Sequence, residues 1–201
     1  MPERYLRQGV LDHRHLDARA AEPSAAGVVL CERRFVGKIN LRGRPTKRFL
    51  AAVGAALGFE PPTDPNTAVG GNGRTALWLG PDEWLIVTPP GEEGATCAAL
   101  RTMRLGRHFA VTDVSEGRAV IGLAGADARD VLAKGCPLDL HPRAFGPGRC
   151  AQSTLAKALV ILHQLSDRPA YDIYVERSFA DYLWTWLEDA AAEYGVAITM
   201  G

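Results

Sequence analysis

The stretch Val111-Thr-Asp-Val-Ser-Glu-Gly-Arg-Ala-Val-Ile-Gly-Leu-Ala-Gly-Ala-Asp-Ala-Arg-Asp-Val-Leu-Ala-Lys-Gly-Cys-Pro-Leu-Asp-Leu140 decides how the rest of this chain is read. Its apolar residues predict two short strands, Phe109 to Asp113 and Ala119 to Leu123, with the polar turn Ser115-Glu116-Gly117 between them. Gly125 then opens a helix of about two turns whose inner side carries Val131 and Leu132. Gly135 and Pro137 end it, since proline has no N–H to continue a helical ladder. The stretch is therefore one strand-strand-helix unit.

Upstream of it, Val28 to Cys31 and the alternating run around Ile39 to Leu41 predict strands. Pro45 suits a first helical position, and Phe49, Leu50, Val53, Ala56 and Leu57 recur at helical spacing as far as Gly58. Residues 60–74 contain three prolines and three glycines and read as a surface loop. Within it Gly71-Asn-Gly73-Arg-Thr-Ala76 formally matches a dinucleotide-binding pattern, but it lies between a loop and strand-like residues, the wrong context for a phosphate-binding helix. Thr75 to Leu79 and Trp84 to Thr88 predict a hairpin across Gly80-Pro81-Asp82-Glu83, and a weaker helix follows around Ala95 to Met103.

Downstream, Ala158 to Leu162 is a continuous apolar run suited to a strand buried on both faces. Tyr171, Ile173 and Val175 alternate with Asp172, Tyr174 and Glu176, as in a strand half-exposed to solvent or a partner. The last helix is predicted to start at a Ser178 cap and stop at Gly195, with Phe179, Leu183, Trp186, Leu187, Ala190 and Tyr194 inward. Asp181, Trp184 and Glu188 then fall on its outer side, where an indole between carboxylates suits a partner interface. Val196 to Thr199 predicts an edge strand. The order of elements repeats, so the expectation is an α+β protein of two lobes, residues 27–107 and 108–201, with mainly antiparallel sheets. Residues 1–26 mix charges with few apolar side chains and are expected to be a flexible N-terminal segment.

Bulk properties narrow the function. Lysine plus arginine and aspartate plus glutamate are 23 each, so there is no basic excess to favour nucleic acid or a membrane surface. No apolar run nears the roughly 18 residues of a membrane span, and no secretion signal is evident, so a cytoplasmic location is expected. Cys31, Cys97, Cys136 and Cys150 lack metal-ligand spacing and read as reduced thiols. Ser115 lacks a nucleophile-elbow context, and His108, His141 and His163 have no sequence-adjacent nucleophile. No complete active site, metal site or cofactor site is predicted, and Trp78 and Trp84 read as core.

Asp113-Val-Ser-x-Gly117 followed by a strand and by Gly125-Ala-Asp-Ala128 resembles the folate-binding aminomethyltransferase superfamily, to which the T protein of the glycine cleavage system belongs. Gly135-Cys-Pro-Leu-Asp-Leu-His-Pro-Arg143 and Arg177-Ser-Phe-Ala-Asp-Tyr-Leu-Trp-Thr-Trp-Leu-Glu-Asp-Ala190 resemble one branch of it, the gamma subunits of heterotetrameric sarcosine oxidases. The resemblance implies two ferredoxin-like halves around a central cavity. It also implies alpha, beta and delta partner chains, with FAD, FMN and NAD in the larger chains, zinc in the delta chain and tetrahydrofolate as co-substrate. In related transferases a strand of the type Val-Ile-Asp-Asp-Leu carries an aspartate that meets the folate; the similar run here, Leu159-Val-Ile-Leu-His-Gln-Leu165, has Leu162 and His163 at the acidic places. Leucine can neither stabilise an ammonium nor take a proton. The resemblance thus points to a non-catalytic subunit, the alternatives being a stand-alone folate-binding protein or aminomethyltransferase-like enzyme, or a folate-dependent assembly factor of the same fold.

Overall fold

The computed structural model describes residues 7–20, 26–103 and 108–201. After a short 3-10 turn at Asp12–Arg14 come β1 (Val28–Glu32), β2 (Gly37–Gly43), α1 (Lys47–Leu57), β3 (Ala68–Gly71), β4 (Arg74–Gly80), β5 (Glu83–Thr88) and α2 (Glu93–Arg101). Then follow β6 (Phe109–Asp113), β7 (Arg118–Ala124), α3 (Ala128–Ala133), β8 (Cys150–Leu155), β9 (Ala158–Ser166), β10 (Ala170–Glu176), α4 (Ala180–Ala191) and β11 (Val196–Ile198).

Two sheets result, a six-stranded one in the order β11-β1-β7-β10-β9-β8 and a five-stranded one in the order β3-β4-β5-β2-β6. All pairings are antiparallel except β1 with β11, so the α+β class is as expected. One core joins α3 and α4 to the six-stranded sheet through Val131, Leu132, Leu183 and Leu187 against Leu30, Ile121, Leu123, Leu162 and Ile173. A second joins α1 and α2 to the five-stranded sheet through Phe49, Val53, Cys97 and Leu100 against Ile39, Leu41 and Trp84. A third lies between the sheets, where Leu77 and Leu85 meet Val120, Ile161 and Tyr174. The layers run helix, sheet, sheet, helix. On the second face of β10, Tyr174 is thus covered by this chain's own second sheet, while Glu176 at the strand end stays exposed.

The boundary between lobes does not follow the sequence. β1 belongs to the sheet of the second half and β6 to the sheet of the first, so two connections cross from sheet to sheet. They run side by side: Val114 donates its N–H to Lys38 O (2.9 Å), and Arg33 donates its N–H to Val120 O (2.9 Å). The strand pair read from 109–123 is therefore a crossover at Ser115-Glu116-Gly117. Apolar alternation says that a segment is a strand; it does not name the sheet that the strand joins.

Local chemistry explains most elements. Thr46 caps α1 by accepting from Phe49 N, and Gly58 closes it at φ 88°, which places Pro45 just outside the helix. Residues 68–80 form a hairpin missed in the proline-rich and glycine-rich stretch; Asn72 and Gly73, at φ 53° and 75°, make the two-residue turn. The Gly71-Asn-Gly73 pattern is thus a hairpin and not a phosphate loop. Trp84 is fully buried, stacks on Phe49 at 5.7 Å and donates Nε1–H to Pro62 O (2.7 Å). Gly125 sits at φ 122° against the backbone of Gly27, where no side chain fits.

Two expectations about α4 need correction. Ser178 makes no cap, because a 3-10 turn at Arg177–Phe179 leads into the helix. The inner stripe is Ala180, Leu183, Trp184, Leu187, Ala190 and Ala191, while Phe179 is exposed and Trp186 half-buried. Leu183, Leu187 and Ala190 face inward as expected, but the stripe extends toward Ala180, Trp184 and Ala191 and away from Phe179 and Trp186, which places Trp184 in the core.

Candidate functional site

Asp181, Trp184 and Glu188 are brought together, but within the chain. Trp184 is fully buried, and its Nε1–H has no partner among the described residues. Residues 11–19 lie across this side of α4, and their Leu11 and Leu16 are buried in the same apolar cluster as Trp184. Arg14 donates to Asp181 Oδ1 (2.6 Å) and the Asp181 carbonyl (3.1 Å), contacts Thr185, and pairs with Glu188 Oε2 (3.4 Å). His13 also meets Asp181, and Arg19 meets Glu188. These contacts, Arg14 first and His13 next, hold the Asp181 carboxyl below the usual range. The acidic face expected to bind a partner is occupied by the chain's own N-terminal segment, so Trp184 is not an exposed anchor. The described part of that segment is not free either. Its two leucines are five apart and lie in turns, so no helical or strand period reveals them.

The second place where functional groups converge lies along the six-stranded sheet and reaches the gap between the two sheets. Two adjoining hollows of about 500 and 310 Å³ share Arg118, Gln152 and Glu176. Leu159, Ile161 and Tyr174 line one; Asn40, Glu83 and Leu85 line the other. Both acids are engaged. Glu176 accepts from Arg118 Nε (3.0 Å), and Glu83 accepts from Asn40 (2.7 Å) and Arg42 (2.5 Å). Burial raises the Glu83 pKa, but these two donors outweigh it and leave the carboxyl below its ordinary value. An ionised, twice-bonded carboxylate is a poor proton carrier near pH 7.

Leu162 and His163 point to opposite sides of β9, as alternation requires. Leu162 enters the core under α4. His163 is 7% exposed, with Cys150 and Asp172 as its cross-strand neighbours and no partner for Nδ1 among the described residues. Burial alone drives its pKa down to about 4, so the ring is neutral at pH 7. Asp172 in turn pairs with Arg33 (3.2 Å), which works against the larger effect of burial. The other early candidates stay apart. Ser115 Oγ donates to Asp113 Oδ1 (2.6 Å) and accepts from Lys38 N (2.9 Å) as part of the crossover turn. His108 and His141 are exposed, and the four cysteines are free and buried. Among the described residues no group of three His, Cys, Asp or Glu side chains could hold a metal ion. Among the described residues no helix is long and apolar enough to cross a membrane.

The buried neutral His163 has a consequence for stability. In the unfolded chain a histidine gains its proton near pH 6.5; the folded chain resists until about pH 4. Stability is thus lost as pH falls through that window, by up to about 3 kcal/mol. His163→Leu is expected to flatten this loss, measured as the difference in denaturant midpoint between pH 7 and pH 4.5. An equal loss in both proteins would show that other groups control the acid limb.

Comparison with known proteins agrees with this geometry. A sarcosine oxidase gamma subunit from Arthrobacter sp. is 39% identical over 184 residues, 90% of this chain and 88% of the relative. One from Corynebacterium sp. strain P-1 is 38% identical over 183 residues, again 90% and 88%. A chain of the heterotetrameric sarcosine oxidase of Corynebacterium sp. U-96, solved with pyrrole 2-carboxylate, superposes with a TM-score of 0.84 and 32% identity. That match covers 95% of this chain and 97% of the other. The aminomethyltransferase T of Bartonella henselae shares the fold at a TM-score of 0.64 and 17% identity, with 95% of this chain covering 51% of it. Residues 43–193 match the family model described as sarcosine oxidase, gamma subunit, and the chain belongs to that family.

Proposed function

We propose that the chain is the gamma subunit of a heterotetrameric sarcosine oxidase and contributes surface and fold to the assembly, not chemistry. Its partners are then alpha, beta and delta chains, with contacts mainly to alpha, in the cytoplasm. The complex oxidatively demethylates sarcosine to glycine, yields hydrogen peroxide and transfers the one-carbon unit to tetrahydrofolate. FAD, FMN and NAD belong to the larger chains and zinc to the delta chain. One observation carries the non-catalytic reading: the strand position at which related transferases hold an aspartate is taken here by Leu162, packed in the core, and His163, buried and neutral. A neutral imidazole cannot offset a developing ammonium.

Partner contact moves from Trp184 to the surfaces this chain leaves apolar. Leu159 is 74% exposed at the mouth of the larger hollow, and Phe179 and Tyr182 stand edge to face on the outer side of the last helix. Isolation of the tagged chain from its native cell is expected to bring three further polypeptides and a flavin absorbance, with Leu159→Glu reducing their recovery at least tenfold. A lone colourless chain that titrates with tetrahydrofolate would favour the alternative of a stand-alone folate-binding protein, for which the hollows between the sheets supply room.

A further inference from the structure

The two crossovers between the sheets enclose a cavity of about 30 Å³, separate from the hollows above although Arg118 borders both. Six cationic side chains line it, Arg7, Arg33, Arg34, Lys38, Arg118 and Arg177, with two carboxylates, Glu32 and Glu116. The carboxylates are already satisfied. Glu32 accepts from Leu11 N (3.1 Å) and Arg34 Nε (3.2 Å); Glu116 accepts from Arg7 (2.7 Å) and Arg177 (3.1 Å). The remaining arginines pair outward, Arg33 with Asp172 and Arg118 with Glu176.

Lys38 is the exception. It is 3% exposed, and its ammonium donates to one backbone acceptor, Val36 O (2.7 Å), with no ion pair among the described residues. An ammonium offers three donors, and a buried charge without a counter-ion is costly. Burial first, and the field of Arg7 with it, lowers its pKa to about 8 against the opposing fields of Glu116, Asp113 and Glu93, so it is still charged at pH 7. A methionine or leucine at this place would avoid that cost.

We propose that this cavity is a binding site for one carboxylate, which Lys38 receives at the sheet crossover. The space admits a carboxylate head and not a large anion. The group is either a small free carboxylate or an aspartate, glutamate or chain terminus of a neighbouring subunit.

The first test is a titration of the isolated chain with sodium acetate against sodium chloride at equal ionic strength. Melting temperature and the Lys38 Nζ pKa, by NMR of labelled lysine, are the readouts. Acetate is expected to raise the melting temperature saturably by roughly 3–5 °C and the Lys38 pKa by about one unit. Lys38→Met is expected to remain folded and to lose the response. If the isolated chain does not respond, Lys38→Met is placed in the assembled complex. A dissociation constant raised at least tenfold assigns the carboxylate to a neighbouring subunit. No acetate response together with unchanged assembly overturns the proposal and leaves the cavity to water. The acetate result does not depend on whether the chain has the partners proposed above.

Discussion

Trp184→Ala is expected to lower the stability of the isolated chain by about 3–5 kcal/mol, the usual cost of emptying a buried aromatic site. In a chain of this length that is a fall in melting temperature of roughly 10 °C. The indole is fully buried among Leu11, Leu16, Leu183 and Leu187, so its removal leaves a cavity under the N-terminal segment. Its Nε1–H has no partner among the described residues, so Trp184→Phe should recover most of the loss. Thermal melts of the three proteins check both statements. An alanine variant that melts like the parent but binds its partners more weakly would restore Trp184 to the surface.

Leu11→Asp is expected to have the second largest effect, by releasing residues 11–19 from α4. Leu11 is fully buried, and a carboxylate at that place forfeits the burial of a leucine and has no cation in the apolar cluster to meet it. Loss of about 3 kcal/mol of local stability raises the open population by roughly a hundredfold. Limited proteolysis should therefore cut within residues 7–20 at least that much faster. The Arg14 contacts to half-buried Glu188 and exposed Asp181 contribute less than the two buried leucines. An unchanged cleavage rate would mean that these ion pairs, and not the leucines, hold it down.

What could be read from the residues alone followed from local chemistry. The α1 helix has a threonine cap, a stripe of Phe49, Val53 and Leu57, and a closing glycine, all within twelve positions of one another. The β4–β5 hairpin needs only its own alternation and a proline turn. Sheet membership is a different kind of information. Strands β1 and β6 look like their neighbours in sequence, yet each crosses to the other sheet, and only long-range pairing decides that. The hairpin at Asn72-Gly73 carried a true turn signal, obscured because Ala68-Val-Gly-Gly71 has little apolar pattern of its own.

The candidate interface was misread for two linked reasons. Phe179 and Trp186 are large and apolar, so they draw the expected inner stripe to one side of Leu183 and Leu187, whereas Ala180, Trp184 and Ala191 extend it to the other. Small residues mark a close-packed helix face as well as large ones do. The charge of the N-terminal segment suggests a flexible tail, yet its Arg14 and Arg19 match the acids of α4 and its Leu11 and Leu16 join the apolar cluster of Trp184. His163 was singled out from the resemblance alone. Its burial and neutrality at pH 7 are consequences of the sheet-to-sheet packing, which no local pattern encodes.

The central claim is that this chain supplies assembly and not a reacting group. Steady-state sarcosine turnover of the purified complex carrying His163→Ala tests it most directly, with subunit composition verified on the same sample. The expected result is a turnover number within about twofold of the parent, a change of less than about 0.5 kcal/mol in the barrier. A thousandfold loss in a correctly assembled complex would place a catalytic group in this chain and contradict the account.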